Sequence, residues 1–380
     1  MKVSPASALY LTGFASFVGF YLPQPILPLV ATNYGVTAQS ASLVISATIL
    51  GIALASPCVS LLARKFAAKH LLLTSSLALT LITLASAFAP AFGLLVTLRF
   101  AQGLLLAILF AVSLSYVSES LADTKVAGVA GNYVAMTILG GMSGRVLAGT
   151  LADVFEWRYG FVLSALLYLV LIPVWLAQPK LKASAQPRGA LGSLEHLKNP
   201  AILAGLAIGF FLFFAFQATT TYLPFKLAAP PFDLSTTVIS LMYLSYAAGM
   251  ISSGLAGWLR RRFSLRLSFV LGFGLALLGN LGVLTNSLTL TLAALLVLCF
   301  GNWIVQGLAV GYVATATQTD RAAANALYLL FYYLGGSLGA YLPGLFYDGF
   351  GYSGVIVTSI VALMLGLGSA LFLLRPMKGN

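Results

Sequence analysis

Residues 93–117 read GLLVTLRFAQGLLLAILFAVSLSYV, a long apolar run that contains a single charged side chain, Arg99. About 20 apolar residues are enough for a helix to cross a bilayer. An ionised Arg at the centre of a bilayer costs at least ~2.5 kcal/mol, so its side chain should face protein or a polar cavity rather than lipid. The stretch therefore predicts a transmembrane helix that carries a buried charge.

Similar apolar runs fill the rest of the chain. Of its 380 residues, 60% are hydrophobic and 7% are charged, and the mean hydropathy is +1.00, whereas soluble domains carry about 25% charged residues. This composition excludes a soluble protein and leaves no room for a separate soluble domain. Twelve apolar stretches bounded by charge or turn residues predict twelve spans, at 7–30, 40–62, 70–90, 93–117, 126–151, 158–177, 200–223, 236–258, 266–286, 288–316, 322–346 and 353–374.

The basic residues predict the orientation of these spans. The chain has 20 Lys and Arg against 8 Asp and Glu. If the N-terminus is cytoplasmic, sixteen of the bases fall on the cytoplasmic side and two on the other, while Arg99 and Arg145 lie inside spans. This bias predicts that both termini are cytoplasmic and explains the net charge without a nucleic-acid partner. Cys58 and Cys299 lie in apolar segments and suggest neither a disulfide nor a metal site.

Two repeated patterns indicate an internal duplication around a polar segment at 178–200. Residues 60–69 (SLLARKFAAK) align with residues 257–266 (GWLRRRFSLR) at an offset of 197, and a glycine series that ends in Asp153 aligns with one that ends in Asp348 at an offset of 195. Such repeats are common in secondary transporters. We predict an all-α integral membrane protein of twelve transmembrane helices in two pseudo-symmetric six-helix bundles, residues 1–178 and 200–380, joined by a cytoplasmic linker at 179–199.

Four stretches resemble the major facilitator superfamily and, within it, the twelve-span drug:proton antiporter group. Arg99-Phe-Ala-Gln-Gly103 is similar to the Arg-x-x-Gln-Gly motif of that group, and residues 140–149 and 21–28 are similar to its glycine-rich motif and to the end of its first span. The loop at 60–69 resembles the superfamily's signature loop, although Arg64 stands in place of its Asp. Arg145 likewise stands where the glycine-rich motif has Pro.

The resemblance implies the fold of that superfamily and a secondary transporter that works by alternating access. By the same resemblance we expect proton-driven efflux of amphipathic small molecules, drug-like or sugar-like, across a bacterial inner membrane. We expect a monomer in the lipid bilayer, with a small-molecule substrate, protons as the coupling ion, and neither cofactor nor metal. The residues themselves leave an alternative open, because two intramembrane Arg would also suit an exchanger or uptake carrier for organic anions.

Amides and aromatic rings recur at helical spacing in the predicted spans, and they suit amphipathic ligands through hydrogen bonds, stacking and cation–π contact. The amides are the stronger candidates because an amide in hydrocarbon needs a partner. For any single ring the alternative is packing or lipid contact. The predicted substrate-binding residues are Tyr21, Gln24, Arg99, Gln102, Asn132, Met136, Gln217, Tyr243, Asn302, Trp303, Gln306, Tyr328 and Tyr332. For Arg99, the alternative role is hydrogen bonding to backbone carbonyls of neighbouring helices, with Gln102 holding it in place.

No carboxylate lies in the middle of a predicted span, so proton coupling would need an acid at a helix end. Asp153 is the first choice because it lies two turns beyond Arg145 and Asp348 is its symmetry mate, and the alternative is that it only caps a helix or forms a pair at the outer surface. For the cytoplasmic acids, the alternative is that they only neutralise nearby basic residues of the loops. For Arg145, the alternative is that its long side chain reaches outward to the membrane surface. The predicted coupling and gating residues are Arg64, Lys65, Glu119, Asp123, Arg145, Asp153 and Asp348.

Glycines in spans five and eleven are predicted to let helices approach closely, and they are Gly140, Gly141, Gly144, Gly149, Gly335, Gly336, Gly339 and Gly344. Other classes of membrane protein fit the sequence poorly. An enzyme would need a buried nucleophile and base, and no His, Asp or Glu lies deep in a span. A nucleotide-driven pump would need a phosphate-binding Gly-x-x-x-x-Gly-Lys-Ser/Thr loop, which is absent from the sequence.

Overall fold

A computed structural model of the protein describes residues 3–120, 123–179, 194–317 and 321–373. Within these ranges the chain is helical and contains no strand. Most of the predicted linker, residues 180–193, lies outside the described residues, as does the side chain of Asp123. The helices are Pro5–Tyr21 (α1), Leu27–Tyr34 (α2), Ala38–Ala55 (α3), Val59–Lys65 (α4), Ala68–Ala87 (α5), Phe92–Ser120 (α6), Asp123–Val154 (α7), Arg158–Leu176 (α8), Pro200–Leu227 (α9), Thr236–Leu241 (α10), Ala247–Ser253 (α11), Leu255–Arg262 (α12), Leu265–Gly282 (α13), Leu288–Thr315 (α14), Arg321–Tyr341 (α15) and Gly344–Gly368 (α16).

Each of the twelve predicted spans coincides with a helix or a broken helix. Nine helical stretches of the described residues are long and apolar enough to cross a membrane, and a tenth span is the bent pair of 236–252 and 255–262, with a 46° bend. The other two predicted spans correspond to α1 followed by α2, and to the less apolar α15. The all-helical membrane architecture predicted from the sequence is confirmed.

The first span is broken in the middle, which the apolar pattern does not indicate. Helix α1 ends at Tyr21, and α2 begins at Leu27 with Pro28 in its first turn. Pro23 and Pro25 lie between them. Because Pro has no backbone N–H and its ring clashes with the preceding turn, two prolines this close together stop the helix and leave carbonyl groups of its last turn without intrahelical donors.

The described helices group into two compact units. Unit 1 contains Met1–Val36, Ala47–Gln186 and Ser235–Tyr243, and unit 2 contains Thr37–Ser46, Pro187–Leu234 and Leu244–Asn380. In unit 1, α1 packs most extensively against α7, and α5 packs against α6 and α8. In unit 2, α9 packs against α15 and α16, and α13 against α14. The domain boundaries predicted at 178 and 200 stay a prediction.

The glycines of α7 and α15 allow the backbones of the main helix pairs to touch. A methyl group on Gly140 would lie 2.4 Å from the Phe14 carbonyl oxygen in α1, and one on Gly335 would lie 2.1 Å from the Phe210 carbonyl oxygen in α9. One turn later, Gly144 and Gly339 make the equivalent contacts with Val18 and Phe214. Phe14 and Phe210 are 196 residues apart, so both units repeat one helix–helix contact at the offset of the duplication.

Candidate functional site

Arg99 lies on α6 with its side chain fully buried. Its guanidinium donates to the backbone carbonyl oxygens of Gly19 at 2.9 Å and Phe20 at 2.8 Å, and also to Oε1 of Gln102. A buried guanidinium must satisfy its N–H groups within the protein. Here the two carbonyls belong to the last turn of α1, so Arg99 joins α6 to the end of α1. This is the contact described by the alternative role, in which Arg99 bonds to backbone carbonyls of a neighbouring helix.

These two carbonyls accept from a side chain because α1 stops where it does. In a continuous helix the Gly19 oxygen would accept from the N–H of residue 23, which is Pro and has none. The Phe20 oxygen would accept from Gln24, but the Gln24 N–H donates to Tyr21 instead, at 3.1 Å. Arg99 therefore replaces the two donors that the proline-containing break removes.

The other members of the Arg-x-x-Gln-Gly motif contact two further helices of unit 1. Gln102 is buried and lies 3.4 Å from the hydroxyl of Tyr168 on α8. A methyl group on Gly103 would lie 2.1 Å from the Thr48 carbonyl oxygen on α3. The motif thus fixes α6 against α1, α8 and α3. The sequence did not single out Tyr168, although a tyrosine in the middle of an apolar span needs a hydrogen-bond partner.

Arg145, on α7, is also fully buried. Its Nε donates to Oε1 of Gln24 and its Nη1 to the Gly141 carbonyl oxygen, both at 2.8 Å. The guanidinium carbon lies 4.0 Å from the ring centroid of Tyr21 and 4.9 Å from that of Tyr243. Two predicted substrate-binding tyrosines therefore flank the predicted coupling residue, and the side chain does not extend into solvent. We call Tyr21, Gln24, Arg145 and Tyr243 the arginine clamp.

Asp153 lies near the end of α7 and is exposed, but its carboxylate has defined partners. Its Oδ1 accepts from the backbone N–H of Thr236 at 3.2 Å, and its Oδ2 from that of Thr237 at 2.7 Å. These are the first N–H groups of α10, which have no intrahelical acceptor. One turn earlier, Gly149 lies against Ser240. The end of α7 therefore holds the start of α10 within unit 1.

The symmetry-related end of α15 and α16 in unit 2 is held differently. Asp348 is exposed. A methyl group on Gly344 would lie 2.2 Å from the hydroxyl of Tyr222, and that hydroxyl is 3.1 Å from Oγ of Ser42 on α3. Gly344 thus contacts a hydroxyl as its mate Gly149 does, whereas no hydrogen bond from a helix start to Asp348 corresponds to the bonds that Asp153 accepts in the described part of unit 1.

Unit 2 buries a polar group of another kind on α9. Gln217 is fully buried, and among the described residues neither its amide nitrogen nor its amide oxygen has a hydrogen-bond partner. The buried hydroxyls of Thr221, one turn along α9, and Tyr328, on α15, also lack a partner there. An unsatisfied buried polar group costs about 1–3 kcal/mol. Three buried hydroxyls of unit 1 also lack a partner among the described residues, so Gln217 differs in having a whole amide with neither its donor nor its acceptor used.

Aromatic rings surround this part of α9. Phe213, one turn before Gln217, stacks on Tyr332 with ring centroids 4.1 Å apart and planes 3° apart, and Tyr328 stacks on Tyr332 at 5.8 Å. Phe216 contacts the Trp303 ring edge-on at 5.3 Å. We call Phe213, Gln217 and Tyr332 the amide cluster. Tyr328 lies against Gly209, two turns before Gln217 on α9, and Thr221 lies one turn beyond Gln217.

The remaining predicted residues are dispersed. Asn302 is buried, Met136, Trp303 and Gln306 are partly buried, and Asn132 is exposed and donates to the hydroxyl of Tyr10 at 3.2 Å. Arg64, Lys65 and Glu119 are exposed at helix ends. Among the described residues no three His, Cys, Asp or Glu side chains come together in a way that could hold a metal ion.

Sequence reasoning missed the role of Lys69, the last base of the signature-like loop. Its Nζ donates to the carbonyl oxygens of Leu176 and Gln178, both at 2.6 Å, and so caps the end of α8. A base near a helix C-terminus is favourable for both hydrogen bonding and the helix dipole. The loop pattern identified the residue, but sequence alone could not give its partner 107 residues away.

Comparison with known proteins agrees with these observations. The sequence model of the Major Facilitator Superfamily matches residues 9–319. YybF of Bacillus subtilis, an uncharacterized transporter of that type, is 26% identical over 377 residues, which cover 98% of this chain and 93% of YybF. The chloramphenicol resistance protein CraA of Acinetobacter baumannii is 30% identical over 163 residues, 43% of this chain and 40% of CraA.

Solved structures give the same fold. The xylose transporter XylE from E. coli, in a partially occluded inward-open conformation, superposes with a TM-score of 0.75 over 97% of this chain and 95% of XylE, at 13% sequence identity. The family model covers most of the chain, and the helical architecture agrees with it. The chain therefore belongs to the Major Facilitator Superfamily, and it is a multi-pass membrane transporter and not an enzyme.

Proposed function

We propose that the protein exports uncharged amphipathic small molecules, drug-like or sugar-like, by alternating access and in exchange for protons. The observation that carries this proposal is the amide cluster. Gln217 places a donor and an acceptor, both unused among the described residues, one turn from a stacked pair of rings. Such a site suits a ligand with an apolar ring and a neutral hydrogen-bonding group.

The relatives support the substrate class. The similarity to a chloramphenicol resistance protein covers less than half of either chain, and it favours export of a neutral aromatic drug. We further propose that the protein acts as a monomer in a bacterial inner membrane with both termini in the cytoplasm, as the distribution of basic residues predicts.

Proton coupling is the part of the proposal that depends on the helix-end carboxylates. An ionised carboxylate is a stronger hydrogen-bond acceptor than the protonated acid. Protonation of Asp153 would therefore weaken its bonds to Thr236 and Thr237 and free the start of α10. A proton taken up on one side of the membrane would in this way favour one conformation of unit 1.

The test is transport of [14C]chloramphenicol in proteoliposomes with and without an imposed pH gradient. We expect gradient-dependent flux in the wild type and at least a tenfold loss in Gln217→Leu, because Leu fills the volume but makes no hydrogen bond. Gln39→Leu, a half-buried Gln on α3, is the matched control and should retain the flux. Equal flux in Gln217→Leu and the wild type would exclude the amide cluster as the binding site.

A second candidate function is exchange or uptake of organic anions, which the two fully buried guanidinium groups favour. The same vesicles distinguish the two functions. Flux of a labelled carboxylate that is independent of the pH gradient, with no flux of chloramphenicol, would replace export of neutral compounds by anion exchange.

A further inference from the structure

The arginine clamp has the composition of a site for an organic cation. A guanidinium or quaternary ammonium group binds most favourably over aromatic faces, each contact contributing about 0.5–2 kcal/mol, and a neutral oxygen acceptor adds a hydrogen bond. Here Tyr21 and Tyr243 present their rings to one cationic centre at 4.0 and 4.9 Å, and Gln24 presents an amide oxygen at 2.8 Å. In this protein the cation in the site is the guanidinium of Arg145.

The tyrosines and the arginine come from separate parts of the chain. Tyr21 ends α1, Arg145 lies on α7, and Tyr243 follows α10, yet all three belong to unit 1. Gln24, Arg145 and Tyr243 are buried, with Tyr243 1% and Arg145 0% exposed, and Tyr21 is partly buried. Removal of the guanidinium would therefore leave an enclosed space bounded by two rings and an amide oxygen.

The equivalent place in unit 2 lacks this cation. At the offsets of the duplication, Ala340 stands in place of Arg145 and Gln217 in place of Tyr21. The charge is therefore not required by the helix packing that the two units share.

We propose that Arg145 is a specificity-determining residue, whose guanidinium occupies a two-tyrosine cation site and thereby excludes organic cations from it. Loss of this side chain would convert the clamp into a binding site for a small guanidinium or quaternary ammonium ion. The occupancy of the clamp does not depend on the function proposed above. Only the exclusion of cationic substrates from transport rests on the proposed function.

The first experiment measures binding alone. Purified wild type, Arg145→Ala, Arg145→Lys and Arg145→Ala/Tyr21→Leu are titrated with 0–20 mM guanidinium chloride, with NaCl at equal ionic strength as the control for salt, while the unfolding temperature is followed. We expect a saturable rise of about 2–4 °C in Arg145→Ala, with half-saturation at roughly 1–10 mM. The wild type and Arg145→Lys, whose clamps are occupied, should not respond, and the double variant should lose most of the rise.

No response in Arg145→Ala, or an equal response in the wild type, would overturn the proposal. If Arg145→Ala does not fold, its yield of monodisperse protein is compared after solubilisation with and without 10 mM guanidinium chloride. Recovery only with guanidinium supports the proposal, and failure in both conditions overturns it.

The second experiment measures transport of [14C]guanidinium in proteoliposomes, since this ion is small enough for the vacated space and crosses a protein-free bilayer poorly. We expect at least a tenfold higher flux in Arg145→Ala than in the wild type and in Arg145→Lys. An unchanged flux, despite guanidinium binding, would overturn exclusion of cationic substrates and leave the clamp as a structural cation site. Absence of chloramphenicol flux in the wild type, with guanidinium binding intact in Arg145→Ala, would instead contradict only the function proposed above.

Discussion

The α1–α7 corner of unit 1 and the α9–α15 corner of unit 2 share a backbone arrangement but differ in their chemistry. In both, glycines bring the helix backbones together, and a tyrosine on the second helix (Tyr133 or Tyr328) lies against a glycine on the first (Gly13 or Gly209). In unit 1, Arg99 satisfies the carbonyls at the end of α1. At the position that the Gln102 and Gln306 alignment gives for Arg99, unit 2 has Trp303, which contacts Phe216.

The difference shows that the backbone arrangement shared by the two corners forms in unit 2 without the buried charges of unit 1. Helix α9 runs through the region where α1 is broken. The carbonyls of Ala215 and Phe216, which are the mates of Gly19 and Phe20, therefore keep their intrahelical donors, and no Arg is required. The buried amide oxygens of unit 1, in Gln24 and Gln102, accept from Arg145 and Arg99. In unit 2, Gln217 leaves its donor and its acceptor unused among the described residues, whereas buried hydroxyls without a partner occur in both units. We infer that the break in α1 and Arg99 are coupled features, and that substrate recognition is better sought in unit 2.

The largest effect is expected from substitutions at the glycines that bring the helix backbones together in both corners. A methyl group at Gly140 or Gly335 would lie within 2.4 Å of a backbone oxygen that cannot move aside alone. Gly140→Ala and Gly335→Ala should each destabilise the protein by about 3 kcal/mol, at the upper end of the range for overpacking, and sharply lower the monodisperse yield on size-exclusion chromatography. Gly131→Ala and Gly311→Ala, at sites with open space, are the controls. Equal yields for all four variants would mean that the glycine contacts are not required.

The next largest effect on stability is expected to differ between the two corners. Arg99→Ala leaves the Gly19 and Phe20 carbonyls buried without their donor, at a cost of about 2–5 kcal/mol. Because a Lys ammonium replaces only part of a planar guanidinium, Arg99→Lys should lie between Arg99→Ala and the wild type in unfolding temperature. Trp303→Leu, in the equivalent place of unit 2, should cost less because it removes ring contacts without leaving a polar atom unpaired. A wild-type unfolding temperature in Arg99→Ala would show that the hydrogen bonds from Arg99 to the end of α1 are dispensable.

The smallest effect on stability concerns the helix-end acids. Asp153→Asn keeps an acceptor for α10 and should cost at most about 1 kcal/mol, but the variant cannot release α10 by protonation. Because two N–H donors favour the ionised carboxylate, we expect Asp153 to take up a proton only toward acid pH and where α10 has released it. Flux measured from external pH 4 to 8 should therefore change toward the acid end in the wild type and be flat in Asp153→Asn. Asp348→Asn, whose carboxylate is exposed, should keep the wild-type profile. An unchanged profile in Asp153→Asn would remove Asp153 from coupling.

The fold could be predicted in large part because the membrane requires it. Apolar length gave all twelve spans, and the offsets of 195 and 197 gave the repeat that the glycine contacts reproduce. The break in the first span was missed, since Pro23 and Pro25 lie in a run that is apolar throughout. Hydropathy does not register a missing backbone donor.

The candidate site was harder to predict, because burial and pairing depend on contacts between distant residues. Charge inside a span identified Arg99 and Arg145 but could not tell that one contacts carbonyls and the other aromatic rings. Helical spacing placed Gln217 among the candidates, although only the structure reveals that its amide lacks a partner among the described residues. Asn132 followed the same spacing and is exposed.

The pairing of α1 with Arg99 also has a consequence during biosynthesis. Gly19 and Arg99 are 80 residues apart, so at about 5–20 residues per second the ribosome needs roughly 4–16 s to add the second after the first. For that time the nascent first span carries two carbonyls without their final donor, and Arg99 later enters the membrane in need of acceptors. Each segment is stable in the bilayer only once the other is present, so the first four spans should leave the insertion machinery as a group rather than one at a time.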